Sequence, residues 1–439
     1  MRLAPIALIA IVVAGLLAAP AMAARAPGIV ILADLSHGQP ASGLEVMMDM
    51  IPEAEWILLI ASPGDEANIP EQVLSKASAV RYGGFTPDNI ADVDVILFGQ
   101  PTLPLQPEEI QAIVEWFNAE GKPRLIWVAG DSDYPAQGSE VAQQAMNQIL
   151  EALGSKLRAD YVSVEDEKSF AGKTYRVVGL VQPDPEVAVL ACGAEKTLFH
   201  GPGPLYALDD YGNPVNPVET KVPGVYVVVT TTEKGKLVQH QSAAKGGLDP
   251  EFYTNIGDYG VFPLLLVEVK DVNSVPKRII ASGETPYGGY QAGVTWEYKG
   301  IPMQGPNLFR NLVYWGTGYM GDLLTCSKAM MLKEDVKNLA SDLAQTKSEI
   351  QNLKVLKAQI QNLGNALDLA NTKLGQLEGK IGDLEGKVGQ LEQDLNSLSD
   401  TVNNDVAPAA KTGKTAQIIG IIAVLLALAA IGLAFTRKG

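Results

Sequence analysis

From Val336 to Val402 the apolar residues recur at alternating intervals of three and four. Such a seam, held over roughly nine heptads, cannot be wrapped into a globule; it demands a long helix whose apolar stripe is covered by another helix. A first series runs Val336, Leu339, Leu343, Ile350 and Leu353, with Thr346 in one core slot. A second runs from Ile360 through Leu363, Leu367, Ala370, Leu374, Leu377, Ile381, Leu384, Val388, Leu391, Leu395 and Leu398 to Val402. The two are out of phase, because Ile350, Leu353 and Leu356 are spaced by three and three before the step to Ile360, a stammer that overwinds the supercoil. In the last heptads Ile381, Val388 and Val402 fall at a and Leu377, Leu384, Leu391 and Leu398 at d, a pattern that favours two parallel strands. Lys380 and Lys387 at g would meet Glu385 and Glu392 at e of a partner. The expectation is a parallel homodimer through residues 336–402, with a trimer as the alternative. Gly375, Gly379, Gly382, Gly386 and Gly389 fall at b and f, outside the seam, at a cost of ~1 kcal/mol each in helix propensity.

The ends of the chain constrain where this rod stands. Arg2 is followed by an apolar run ending in Ala21-Met22-Ala23, the layout of a secretory signal peptide over residues 1–24; a retained N-terminal anchor is the alternative. Residues 416–435 carry no charge and precede Arg437 and Lys438, which predicts a transmembrane helix and a cytoplasmic tail over 436–439. Removal of this tail during lipid anchoring or sortase-like processing is a minor alternative. Residues 405–415 form a hinge, 331–404 the stalk and 26–325 an ectodomain outside the cytoplasm. A formal charge of −16 argues against nucleic acid or an anionic lipid surface as partner. The two cysteines, Cys192 and Cys326, form no disulfide framework, so the ectodomain must rely on a hydrophobic core. Cys326, just before the heptads, allows either an interchain disulfide or an unpaired buried thiol.

Within residues 26–325, "GIVILAD", "EWILLIAS", "VDVILFGQ" and "RLIWVAGD" are short apolar runs of the kind that form central parallel strands. "LQPEEIQAIVEWFNAEG" reads as a crossover helix, with Pro107 near its start and Gly121 at its stop, and "EVAQQAMNQILEALGSKL" as another. The fold class is therefore α/β with a doubly wound, mainly parallel sheet. Later runs, "YRVVGLV", "EVAVLAC", "KTLFHG", "VYVVVTTT", "VFPLLLVEV" and "KRIIASGE", read as strands inserted into one large domain rather than as a second domain.

The strand ending in Asp34, Ser36, His37 and Gly38, the strand ending in "FGQP", the "GDSDY" elbow and the late "RIIASGE…NLFRNLVYWG" segment together resemble the class I glutamine amidotransferase-like superfamily. The resemblance is to its non-catalytic, membrane-linked branch, similar to the gliding-motility transporter auxiliary domain and related archaeal membrane proteins. It covers roughly residues 27 to 320 and implies a flavodoxin-like sheet. In that superfamily the elbow reads G-x-C-x-G; here Gly130 stands at the first glycine, Ser132 at the cysteine and Tyr134 at the second glycine. Cysteine-based glutamine hydrolysis is therefore not expected.

In an open α/β sheet the ends of the first, third and fourth of these strands face one crevice. The ligand-binding candidates are accordingly Asp34, Ser36, His37 and Gln39, then Gln100 and Thr102, then Asp131, Ser132 and Asp133. The same short polar residues also cap helices and satisfy turns at such junctions. No tight His/Cys/Asp spacing calls for a metal and no Gly-rich phosphate loop follows a strand, so neither metal nor cofactor is expected. The segment 288–307, rich in glycine and aromatics, is either an exposed contact loop or the cover of a sheet edge. The expected function is a membrane-anchored surface protein with a ligand- or partner-binding, non-catalytic head, beside a transporter or in a surface layer. The alternative is a surface serine hydrolase or amidase using Ser132 with His37 or His200 as base.

Overall fold

The computed structural model describes residues 28–134, 140–406 and 415–436. The expected signal peptide, most of the hinge and the C-terminal tail lie outside the described residues. The chain divides into two compact units, Met1–Asp335 and Val336–Gly439.

The first unit is built on a ten-stranded sheet. In chain order its strands are β1 (Val30–Asp34), β2 (Glu55–Ile60), β3 (Ala79–Tyr82), β4 (Val95–Phe98), β5 (Arg124–Ala129), β6 (Arg176–Val181), β7 (Lys196–His200), β8 (Val225–Thr230), β9 (Pro263–Val269) and β10 (Lys277–Ser282). Their spatial order is β3-β2-β1-β4-β5-β10-β9-β8-β6-β7. The strands from β3 to β10 run parallel, with Ile31 opposite Trp56 and Val95, and Trp127 opposite Ile280. From β10 outward every pairing is antiparallel. The four apolar runs expected as parallel strands are β1, β2, β4 and β5, and the later runs extend the same sheet, so both halves form one mixed α/β domain. The run "EVAVLAC" departs from expectation: it is a 3-10 segment, Pro185–Ala191, in which Pro185 starts the first turn and Asp184 precedes it. Pro185 presets the helical φ and supplies no ladder N–H, which settles a run whose apolar content suits either element.

Helices cover both faces. On one face α1 (Leu44–Met50) and α4 (Gly305–Thr317) pack with Ile31, Ala33, Trp56, Leu125 and Trp127 into a core holding Phe309 and Leu312. On the other, α2 (Pro107–Asn118) and α3 (Glu140–Ala152) pack on Leu32, Ile96, Ile126 and Val128 through Ile113, Trp116, Met146 and Ile149. Alternate residues of one strand thus enter opposite cores, and this two-sided burial makes the parallel strands apolar throughout. Short strands outside the main sheet, among them Ser163–Asp166 and Gly235–Val238, pair antiparallel above the carboxyl ends of β5 and β7.

The cysteines correct both sequence expectations for Cys326. Cys192 and Cys326 form an intrachain disulfide with a Cα–Cα distance of 5.9 Å. Cys326 lies in α5 (Gly321–Thr401), an 81-residue helix that begins ten residues before the predicted stalk and runs into a π-helical segment, Val402–Val406. In the second unit the seam residues of α5 are exposed on the single chain, for instance Leu363 at 73% and Leu395 at 66%. A further helix, α6 (Thr415–Thr436), spans 22 residues. Among the described residues no helix is long and apolar enough to cross a membrane; the side chains of residues 430–436 lie outside that description.

Candidate functional site

The polar residues after β1 fold back on themselves. Asp34 is fully buried, and its carboxylate accepts the Ser36 N–H at 3.0 Å, the Ser36 hydroxyl at 2.5 Å, His37 Nδ1–H at 2.8 Å and the Gln39 amide at 2.6 Å. His37 Nε2 lies 3.2 Å from Glu109 Oε2. Glu109 belongs to the first turn of α2, where it also accepts the N–H groups of Gln106 and Phe85 at 2.8 and 3.1 Å. Burial works against a charge on His37, but the bonds and charges of Asp34 and Glu109 outweigh it and raise its pKa from 6.5 to about 10. Burial likewise opposes ionisation of Glu109, yet the hydrogen bonds from His37 and the backbone hold it below the usual carboxylate range. His37 is thus an imidazolium with both ring N–H groups committed. The backbone here is equally constrained, since the His37 carbonyl accepts the N–H groups of Thr102 and Leu103 at 2.8 and 3.1 Å. Gly38 has φ of 81°, and a Cβ there would run into the Thr102 hydroxyl.

The residues after β5 divide. Asp131 is buried, accepts the Ser132 N–H at 2.6 Å and is approached by the Gln100 side chain; burial outweighs both and pushes its pKa up to about 8. Glu284, just past β10, is raised well above the carboxylate range by burial and by the nearby Asp131, and it accepts the His200 N–H at 2.5 Å. Asp133 is an anchor for neighbouring chain, accepting the Ser163 hydroxyl at 2.6 Å and the N–H groups of His240 and Gln241 at 2.6 and 2.9 Å. Ser132 Oγ accepts the Tyr134 N–H at 3.2 Å.

Ser132 also faces a cavity of about 280 Å³, whose walls include Tyr134, Tyr175, Arg176, His200, His240 and Tyr290. The rings meet edge to face: Tyr134 and His240 are 4.9 Å apart between centroids, Tyr175 and His200 5.5 Å, and His200 and Tyr290 4.8 Å. Arg176, the first residue of β6, stacks its guanidinium over Tyr175 at 5.0 Å. Burial, reinforced by Arg176, lowers the pKa of His200, so its imidazole is neutral near pH 7.

The nine predicted residues therefore do not converge on one crevice. Asp34, Ser36, His37 and Gln39 form a closed network with Glu109, Thr102 holds its backbone, and Gln100, Asp131 and Asp133 support the turn that presents Ser132. Of the nine, Ser132 alone lines the cavity, together with His200. Glu109 was visible only as a helix-start acid, Glu284 only as the end of "IASGE", and Tyr175, Arg176 and Tyr290 carry no local motif. The 288–307 segment covers the sheet edge with buried Ala292 and Val294, while Tyr290 reaches the cavity.

These features define an α/β protein with a mixed, mainly parallel sheet and a small aromatic cavity at the carboxyl edge of β5 and β7. No protein-family model and no curated protein matches the chain. Among solved structures it is similar to one described as the mmIFT52 N-terminal domain, at 8% sequence identity and a TM-score of 0.38, over 66% of this chain and 97% of that one.

Proposed function

We propose that this is a membrane-anchored surface protein whose head binds a small ligand without cleaving it and stands on a parallel coiled-coil dimer. In this reading the head is a non-catalytic member of the class I glutamine amidotransferase-like superfamily, residues 416–435 span the bilayer, and the ectodomain lies outside the cytoplasm. The cavity beside Ser132 and His200 carries the binding assignment: it is concave, aromatic and supplied with a few polar groups, as small-molecule sites are. The Cys192–Cys326 bond supports an oxidising compartment, and the uncharged run of 416–435 has the length of a bilayer core. The exposed a and d residues of α5 support a second copy as partner, since a stripe of leucines on a long helix is unstable in water without one.

Two observations support binding over hydrolysis. The nucleophile of an elbow occupies a strained backbone, whereas positive φ outside glycine is confined, among the described residues, to Asn273, Ser274 and Lys299. The Ser132 hydroxyl oxygen, moreover, is engaged as an acceptor by Tyr134. The test is a thermal-shift screen of the full chain in detergent against small organic ligands, read by tryptophan fluorescence. Stabilisation that disappears in Tyr175→Ala/Tyr290→Ala supports the proposal; silence across the screen overturns it. A serine hydrolase remains the second reading because Ser132 and His200 line one cavity. It requires fluorophosphonate labelling that is lost in Ser132→Ala.

A further inference from the structure

We infer that the cavity takes a small organic monocarboxylate, anchored by Arg176 and enclosed by the rings of Tyr175 and Tyr290. This rests on the reading of the head as a ligand binder and adds the charge and size of the ligand. The argument begins with the state of Arg176. Its Nε is buried without a hydrogen-bond partner, and none of the ion pairs among the described residues includes it. The chain has 50 acidic residues against 34 basic ones, so a lining arginine that enters no ion pair among the described residues stands out. What holds Arg176 instead is stacking, on Tyr175 at 5.0 Å and Tyr298 at 5.7 Å. These contacts engage the charge of the guanidinium over ring faces and not its N–H groups, whose planar fork matches a carboxylate.

The rest of the lining narrows the class. The hydroxyls of Tyr134, Tyr175 and Tyr290 add donors around a largely aromatic wall. Glu165 is the one carboxylate of the lining, and its Oε2 accepts the Thr174 hydroxyl. The single guanidinium of Arg176 matches one carboxylate, while Glu165 in the same lining repels a second negative charge such as that of a phosphate dianion. A volume of about 280 Å³ equals roughly nine waters at ~30 Å³ each, room for a ring bearing one acid group. The aromatic walls favour a flat, apolar body over an extended one.

Isothermal titration of the full chain in detergent with sodium benzoate, benzamide, benzylamine and inorganic phosphate tests the assignment. Benzoate is expected to bind at least about 10-fold more tightly than the other three, and Arg176→Gln to weaken benzoate by about 10- to 100-fold while leaving benzamide unchanged, the span expected for losing a charge-assisted hydrogen bond. Arg176→Lys, which keeps the charge without the fork, should recover only part of the affinity. The ranking of the four probes on the unaltered protein needs no variant, so it decides the matter even if Arg176→Gln fails to fold. Benzamide or phosphate binding as tightly as benzoate overturns the assignment, as does absence of benzoate binding. Binding of benzamide that is lost in Tyr175→Ala/Tyr290→Ala would leave the ligand-binding head standing and remove only the charge of its ligand.

Discussion

Replacing His37 by Gln removes a buried cation and leaves the carboxylates of Asp34 and Glu109 without the charge that joins them. The rise of the His37 pKa from 6.5 to about 10 corresponds to about 5 kcal/mol of preference for the charged form in the folded head. That is a ceiling for the variant, because Asp34 keeps its bonds from Ser36 and Gln39, and Glu109 keeps those from Gln106 and Phe85. Removing one partner of a buried ion pair costs about 3–5 kcal/mol, so we expect a loss of about 3 kcal/mol at pH 6. The pH dependence fixes the mechanism. A group whose pKa is higher folded than unfolded stabilises fully below the unfolded value and loses that stabilisation as pH climbs through the folded one. The advantage of the unaltered protein over His37→Gln should therefore be complete below pH 6.5, shrink from there upward and be gone above about pH 10. Urea unfolding of the full chain followed by tryptophan fluorescence reads the head alone, since Trp56, Trp116, Trp127, Trp296 and Trp315 all precede the stalk. A difference below about 1 kcal/mol at pH 6, or one that stays flat to pH 10, would refute the buried imidazolium.

Three further outcomes follow from the geometry. Asp at Leu377, Leu384 and Leu391 should convert the chain to monomers in light scattering while tryptophan-detected unfolding stays within about 0.5 kcal/mol, because these residues are exposed on the single chain; an unaltered mass rejects the coiled-coil dimer. Cys192→Ser should lower head stability by about 4 kcal/mol, since the bond closes a loop with a sequence separation of 134, and gels of the unaltered protein without reductant should show no covalent dimer. Gly283→Ala should cost more than about 2 kcal/mol in the same unfolding assay, because its Cβ would overlap the Gly203 carbonyl oxygen, part of a backbone that cannot step aside.

The parallel half of the fold was legible because each of its strands is buried on two faces and so appears in the sequence as an unbroken apolar run; Ile31, Leu32 and Ala33 enter opposite cores yet are all hydrophobic. The 3-10 segment at Pro185 was not, since apolar content leaves the element open and a single proline decides it. The candidate site was legible only as places where strands end in polar residues. Which polar residues meet is a matter of long-range contact: Glu109 reaches His37 across 72 positions, and Arg176, His200 and Tyr290 come together from three separate segments. The disulfide escaped notice for the same reason. Cys326 lies beside the stalk in sequence, whereas its partner Cys192 follows the 3-10 segment on the face covered by α4.

Where the ligand space lies has a physical reason in the sheet itself. Strand order reverses between β1 and β4, and at such a point an open α/β sheet normally leaves a crevice. Here Tyr287 fills it. Its ring is fully buried, its hydroxyl donates to the Asp34 carbonyl at 2.8 Å and accepts the Gly99 N–H at 3.2 Å, and Gly99 has no room for a Cβ because Tyr287 stands against it. The Asp34–His37–Glu109 network closes the same region with charges that satisfy one another. With that position occupied, the open volume moves to the other side of β5, where the antiparallel extension from β10 to β7 and the small strands above it supply Arg176, His200 and the tyrosines. On the turn after β5, Ser132 has no positive φ and stands against the aromatic rings of the cavity. In the proposed reading this walled cavity holds a ligand, and the long helix with its exposed leucine seam would supply spacing and pairing, neither of which turnover requires.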